Sequence, residues 1–373
     1  MKLFFFAGEK SGDLHGSHVI KALKDSDPTI KMTGVAGPKM RMQGCSGVLR
    51  MEDFEVMGFT DVLKSLPKLW KQFHLVKSHI LDEKPDGVVL IDYPGFNLRL
   101  AKALRKEGYQ GKLVQYVAPS VWAHGKERIQ QMEQTLDLLL TIYPFEKAYF
   151  KESSLKVEYV GNPIGEYVSE YVYRPEWKQE LGIPAQKKLV AIFPGSRRHE
   201  VERNLKFQLA AVKKLKKNYP DLCIAVSSMH SNLVDSDGGL YLVPPDYTYE
   251  LMRDSCCALA KSGTVTLELA LHQCPTVVSY HVSGLNRLYG KYVLKLNLPL
   301  YCIVNILGGQ EVFPEFIEKK ISPEGLNAKL LDLYQPGSAR EACLAECKKI
   351  QNKLFAYKPS CNAAFSIREL FSS

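Results

Sequence analysis

The chain has 373 residues, 46% of them hydrophobic, with 49 lysines and arginines against 40 aspartates and glutamates, a formal charge of +9. Such a length suits two domains or one large one, and the composition excludes a disordered or low-complexity chain. The basic excess suits an anionic ligand or surface, no basic run interleaved with aromatics points to nucleic acid, and nine cysteines without Cys-x-x-Cys spacing fit reduced thiols in a cytosolic protein.

Lys2–Ala7 reads as a buried strand, and Gly8-Glu9-Lys10-Ser11-Gly12-Asp13 as the turn into a helix running through Leu23. Strand, glycine-rich turn and helix put backbone N–H groups and positive potential where a phosphate can bind, although the same order serves a plain tight connection. Lys31–Val35 predicts a second strand. Val62, Leu63, Leu66, Leu69, Trp70, Phe73, Val76 and Ile80 then recur at mostly three- and four-residue spacing, with Lys64, Lys68, Lys71 and Lys77 among them. This is an amphipathic helix interrupted near Pro67, whose stripe belongs to a core or to a lipid surface.

Val88–Ile91 is apolar without alternation, the mark of a strand buried on both faces of a parallel sheet. Asp92 ends it, and Pro94-Gly95 stops the ladder, so Asp92 is expected at the carboxyl edge where α/β sheets bind ligands. Alone, an Asp-x-Pro is a turn. Further strands are expected at Leu113–Val117, Leu138–Ile142 and Val157–Val160. After a polar, tyrosine-rich connector come Leu189–Phe193, Leu222–Ser227, Leu240–Val243, Ala258–Lys261 and Thr276–Tyr280. Strands alternating with helix-period segments predict an α/β chain of two Rossmann-like domains, over 1–165 and 185–358, with a helix over 360–373 packing back on the first.

Two later motifs carry chemistry. Pro194-Gly195-Ser196-Arg197 follows a strand, and its guanidinium suits a diphosphate. In Ser262-Gly263-Thr264 the hydroxyls are expected to cap a new helix with Glu268 one turn inside, an arrangement for phosphate and ribose that is equally an ordinary capped helix. Asp25-Ser26-Asp27 and Asp235-Ser236-Asp237 sit in turn-like sequence and end no strand, so they read as solvated turns, and no His-x-x-x-His pair indicates a metal. No stretch reaches the ~18 apolar residues of a membrane span, so a soluble or peripheral protein is expected.

In register, these pieces resemble the lipid-A-disaccharide synthases, inverting glycosyltransferases of the GT-B architecture, over nearly the whole chain. The resemblance rests on Gly8–Asp13, Gly34–Met40, Val56-Met57-Gly58, Ile91–Asn97, Pro119–Ala123, Pro144-Phe145-Glu146, Pro194–Arg197, Ser262–Thr264 with Glu268, and Cys361-Asn362-Ala363. His124 departs from the family's usual tryptophan, Asn162 from a histidine and Val304 from a proline.

The resemblance implies parallel sheets facing a cleft, an acceptor-binding first domain and a UDP-sugar-binding second. It implies transfer of 2,3-diacylglucosamine from its UDP derivative to 2,3-diacylglucosamine 1-phosphate, giving a β-1,6 disaccharide 1-phosphate and UDP. Asp92 is then the base and Arg197 a stabiliser of departing UDP. Ser196, Arg197, Ser262, Gly263, Thr264, Glu268, Asn305 and Gln310 hold the donor, while Gly8, Glu9, Ser11, Gly12 and Asp13 hold the acceptor. Leu63, Leu66, Leu69, Trp70 and Phe73 meet acyl chains or an anionic inner-membrane surface on its cytoplasmic face. No cofactor, metal or nucleic acid is implied, and self-association is left open. A glucosaminyltransferase, a UDP-sugar 2-epimerase or a non-catalytic nucleotide-sugar sensor are the alternatives.

Overall fold

A computed structural model describes residues 1–54, 59–123, 125–227, 240–281 and 300–372, with side chains from residue 67 onward in the helix that begins at Phe59. Val56-Met57-Gly58, His124 and the Asp235–Asp237 turn lie outside these described residues, as do the side chains of Leu63 and Leu66. The chain divides into two compact units, Met1–Pro163 with Tyr357–Ser373, and Ile164–Ala356. The stretch expected as a connector up to residue 184 therefore belongs to the second unit. Its tyrosines explain why: Tyr171 and Tyr173 pack edge to face, and the Tyr171 hydroxyl donates to the fully buried Glu250 carboxylate at 3.0 Å.

The first unit is built from strands β1 (Lys2–Ala7), β2 (Lys31–Ala36), β3 (Ser46–Arg50), β4 (Gly87–Ile91), β5 (Lys112–Tyr116), β6 (Leu138–Thr141) and β7 (Lys156–Tyr159). Its helices are α1 (Lys10–Ser26), α2 (Pro38–Met42), α3 (Phe59–Glu83), α4 (Pro94–Lys106) and α5 (Arg128–Thr135). All pairings are parallel, in the order β3-β2-β1-β4-β5-β6-β7. Unbroken apolar runs make sense here because both faces are covered. Leu3, Phe5 and Ala7 of β1 join a core with α1 and the helix Pro359–Ser372, while Phe4 and Phe6 join a second core with α3 and α4. Each fully buried phenylalanine contributes roughly 1.5–3 kcal/mol.

α3 runs on through Pro67 as a single helix, not the interrupted one expected. Its stripe also divides by burial. Val76 and Ile80 are buried and Phe73 packs against the core, whereas Trp70 is 67% exposed; Leu75, outside the stripe, is 48% exposed. Phe73 therefore owes part of its apolar character to packing on Phe96, with ring centroids 5.4 Å apart.

The second unit begins in α6 (Pro163–Glu170) and α7 (Trp177–Glu180), then alternates β8 (Leu189–Phe193), α8 (Arg198–Asn218), β9 (Cys223–Ser227), β10 (Leu240–Val243), α9 (Thr248–Asp254), β11 (Ser255–Lys261), α10 (Thr264–Leu271), β12 (Thr276–Tyr280) and β13 (Glu315–Ile317). Its sheet is parallel in the order β10-β9-β8-β11-β12-β13. In each sheet the chain winds one way from a central strand and then the other. The reversal falls between β1 and β4 in the first unit and between β8 and β11 in the second. Such switch points leave a crevice at the carboxyl ends of the strands, where doubly wound sheets bind ligands.

Candidate active site

At the first switch point, β1 leads through Gly8 and Glu9 into the first turn of α1, beside the end of β4. The Ser11 hydroxyl, in the first turn of α1, donates to Asp92 Oδ2 at 3.3 Å. Gly8 is tight against this feature, since an added Cβ would come within 2.8 Å of the Tyr93 ring. Asp92 and Tyr93 both adopt left-handed backbone, with φ of 49° and 47°. For non-glycine residues this costs on the order of 1–3 kcal/mol each and persists only where surroundings enforce it.

The enforcement is a pair of fully buried amides, Asn97 and Gln115. Gln115 Nε2 donates to the Asp92 carbonyl at 3.0 Å, the Asn97 side chain donates to the same oxygen, and the Asp92 N–H donates to Tyr116 O at 2.9 Å. Burial pushes the Asp92 carboxyl above its usual range, against the Tyr93 N–H and the Ser11 hydroxyl, which favour the ionised form. Neither amide stood out as a functional residue in the sequence. The available signal was Gln115 itself, a polar residue inside an apolar strand, which had to find partners once buried.

Asp13 does not face this site. It is buried, and its carboxylate accepts the N–H groups of Lys39 (2.9 Å) and Met40 (3.0 Å) at the start of α2. Its expected acceptor contact is corrected to a helix cap. Gly12 packs inward too, a Cβ there lying 3.4 Å from the Ala7 Cβ.

The second switch point places two loops side by side, because Phe193 of β8 is paired with Ala260 of β11. Gly195 has φ +127°, and a Cβ there would meet Glu200 at 2.8 Å, so the turn into α8 requires glycine. Ser196 and Arg197 are exposed. Lys261 Nζ sits 3.2 Å from Glu200 Oε1 and ties one loop to the other. Burial raises the Glu200 carboxyl, but Lys261 and Arg197 outweigh it and hold the group below its usual range.

α10 starts at Gly263 as its N-cap, and no side chain caps it. The expected capping by Ser262 and Thr264 is thus corrected: the two residues flank an open helix N-terminus with exposed Gly263 and Thr264. Backbone N–H groups and the helix dipole there suit an anion. Glu268 lies one turn in, with Tyr249 donating its hydroxyl to Oε1 at 2.9 Å. Burial lifts the Glu268 carboxyl above its usual range, and the Tyr249 bond pulls the other way. Tyr249 went unnoticed in the sequence, where nothing links it to Glu268.

Asn305 is another correction. It is fully buried, its Oδ1 accepts Val312 N–H (2.9 Å) and Phe313 N–H (2.8 Å), and its Nδ2 donates to Phe313 O (2.8 Å). Its amide is spent on bracing the turn after the helix Ile303–Gly308, so a donor contact is withdrawn. Gln310 stands exposed on that turn. Asn162 and Val304 are fully buried. Among the described residues, no three His, Cys, Asp or Glu side chains converge as a metal site, and no helix is long and apolar enough to cross a membrane.

Among solved structures, the chain is similar to a glycotransferase of kitacinnamycin, at TM-score 0.66 and 12% identity over 99% of this chain and 98% of that one. It is likewise similar to a UDP-GlcNAc 2-epimerase from Neisseria meningitidis bound to UDP-GlcNAc, at TM-score 0.65 and 14% identity over both full chains. At such identities the likeness is one of fold, the two-sheet GT-B arrangement.

Sequence relatives are more telling. A lipid-A-disaccharide synthase of Chlamydia pneumoniae is 39% identical over 93% of this chain, and one of Chlamydia trachomatis is 37% identical over 99%. The chain spans 59% and 61% of the length of those two relatives. One from Trichlorobacter lovleyi is 34% identical over 95% of this chain and 93% of its own. The model of the family described as lipid-A-disaccharide synthetase matches residues 3–369, and with these relatives it shows that the chain belongs to that family.

Proposed function

We propose that this chain transfers 2,3-diacylglucosamine from its UDP derivative to 2,3-diacylglucosamine 1-phosphate, forming the β-1,6 disaccharide 1-phosphate and UDP. The observation that carries the reading is the different equipment of the two switch points: a strained carboxylate at one, and an open helix N-terminus with Arg197 and Glu268 at the other. Asp92 takes the proton of the acceptor 6-hydroxyl as its oxygen attacks the anomeric carbon. The bond from that carbon to the diphosphate breaks on the opposite face, which inverts the centre. Arg197 and the N–H groups of α10 receive the charge that grows on UDP. Glu268, steadied by Tyr249, accepts the ribose hydroxyls, with Ser196, Ser262 and Gln310 beside the donor. Ser11, Glu9 and Gly8 orient the acceptor sugar.

Asp92→Asn keeps the side-chain shape and removes the base. Turnover, followed as disaccharide by mass spectrometry, should fall by ~10²–10⁴-fold while UDP binding stays normal. Near wild-type turnover would take Asp92 out of the mechanism, and no product from the wild-type protein would favour a sensor.

The exposed side of α3, with Trp70, Leu75, Lys68 and Lys71, supports peripheral docking on an anionic inner-membrane surface. Trp70→Ser should leave the melting temperature unchanged and lower co-sedimentation with anionic vesicles. Unaltered sedimentation would remove this surface from docking.

A further inference from the structure

A pocket of about 790 Å³ opens beside Asp92 within the first unit. That volume lies inside the ~300–1,000 Å³ typical of small-ligand sites. Leu69, Trp70 and Phe73 of α3 line it, with Tyr93 and Phe96 at the start of α4. Phe6, fully buried, stacks on Phe96 at 4.5 Å with the rings 7° apart, so the wall is backed by the sheet core and held rigid.

Three charged side chains also line the pocket: Glu9, Asp92 and Arg99. Arg99 is exposed, one helical turn beyond the pocket-lining Gly95 on the same face of α4. Among the described residues it makes no ion pair or hydrogen bond, in contrast to Arg105 on the same helix, which is bound to Asp137. A guanidinium with no partner among the described residues, at a pocket whose wall is aromatic and aliphatic, fits an anion carried by an otherwise apolar ligand. The Asp92 carboxylate in the same pocket calls for a hydroxyl.

We infer that this pocket takes the acceptor as one amphiphile, with Arg99 reading its phosphate, an acyl chain lying along Leu69, Trp70 and Phe73, and its reactive hydroxyl at Asp92. The inference rests on the transfer reaction above and adds to it a residue that sets acceptor specificity. Arg99 touches neither the reacting atoms nor the donor.

The test compares two acceptors, 2,3-diacylglucosamine 1-phosphate and its dephosphorylated form, both short-chained to stay monomeric. Arg99→Gln should raise KM for the phosphorylated acceptor roughly 10- to 100-fold, the loss of one charge-assisted contact, with kcat and donor KM unchanged. The dephosphorylated acceptor should not distinguish variant from wild type, and Arg99→Lys should recover part of the effect. Equal losses on both acceptors, or none on either, overturn the assignment.

A binding readout needs no turnover. In Asp92→Asn protein the phosphorylated acceptor should shift tryptophan emission to the blue, because Trp70 passes from water to acyl chain. Trp70→Phe should abolish the shift and Arg99→Gln should demand more ligand for it. A shift that persists in Trp70→Phe, or one given by anionic phospholipid vesicles and not by the acceptor, sinks the proposal. If wild-type protein makes no disaccharide yet this Arg99-dependent shift is seen, the transfer reading fails and the pocket assignment stands.

Discussion

Asp92 shows what a single residue's surroundings decide. Its position was legible because an apolar run ended on it, but the left-handed turn that aims its carboxylate was not. That geometry depends on Gln115, a strand away, and on Asn97, a helical turn ahead. Gln115→Leu removes the donor to the Asp92 carbonyl and leaves that oxygen with the Asn97 amide alone in a buried place. We expect kcat to fall by about tenfold or more with donor KM unchanged. Burial holds the Asp92 carboxyl above the usual aspartate value of about 4, and in the proposed role of base it must be ionised. The acid limb of kcat/KM should therefore set in above that value as pH falls, and move in Gln115→Leu while the melting temperature shows the protein still folded. An unmoved limb with unchanged kcat would mean the amides only fill space. Asp13 and Asn305 teach the converse. Both are polar residues that the resemblance placed at a ligand, and in both the backbone claims the side chain, a use that no spacing rule distinguishes from ligand binding.

At the scale of elements, the central strands and the edge strands β7 and β10 were readable, and the other two edge strands were not. β3 is largely exposed and β13 has three half-buried residues, so neither leaves an apolar run, and both were missed. α3 was readable as an amphipathic helix, yet only burial separates Phe73, part of the core, from Trp70. The turn after β6 holds a further consequence. Glu146 is 2% exposed and accepts the N–H groups of Ile142 (3.0 Å) and Tyr143 (2.9 Å) through one oxygen. Burial nevertheless pushes its carboxyl from the usual 4.5 to about 7. The folded state then holds this proton more tightly than the unfolded chain does. Its contribution is full below about pH 4.5 and is lost as pH rises toward 7, on the order of 3 kcal/mol. Glu146→Gln keeps an acceptor and cannot ionise, so stability of the first unit across pH 4.5–7 should decline less steeply in the variant. Parallel wild-type and variant curves from hydrogen exchange would show that Glu146 does not titrate there.

For the whole molecule, alternation of strands and helices was enough to expect two parallel sheets, and the carboxyl-edge rule was enough to expect ligands beyond the strand ends, while the switch points needed the observed strand order. The boundaries were less legible, because tyrosine-rich sequence resembles a linker until its partners, such as Glu250, are known. The chain also leaves the first unit at Pro163 and returns to it at Tyr357. The returning helix Pro359–Ser372 contributes Ala363, Ala364, Ile367 and Leu370 to the core that holds Val19, Ile20 and Leu23 of α1. Deleting 359–372 should therefore lower the melting temperature of the first unit and leave the second intact, as read by hydrogen exchange. Equal protection in α1 with and without that helix would contradict this.

The order of synthesis gives that return another meaning. α1 leaves the ribosome early with an apolar face whose cover is encoded more than three hundred residues later. At ~5–20 residues per second the wait is on the order of 15–70 s, long compared with the folding of a small domain. The second unit is complete before the first can close, so in the nascent chain the later-encoded domain matures earlier. The half-made first unit, with Val19, Ile20 and Leu23 uncovered, is the species that chaperones would meet.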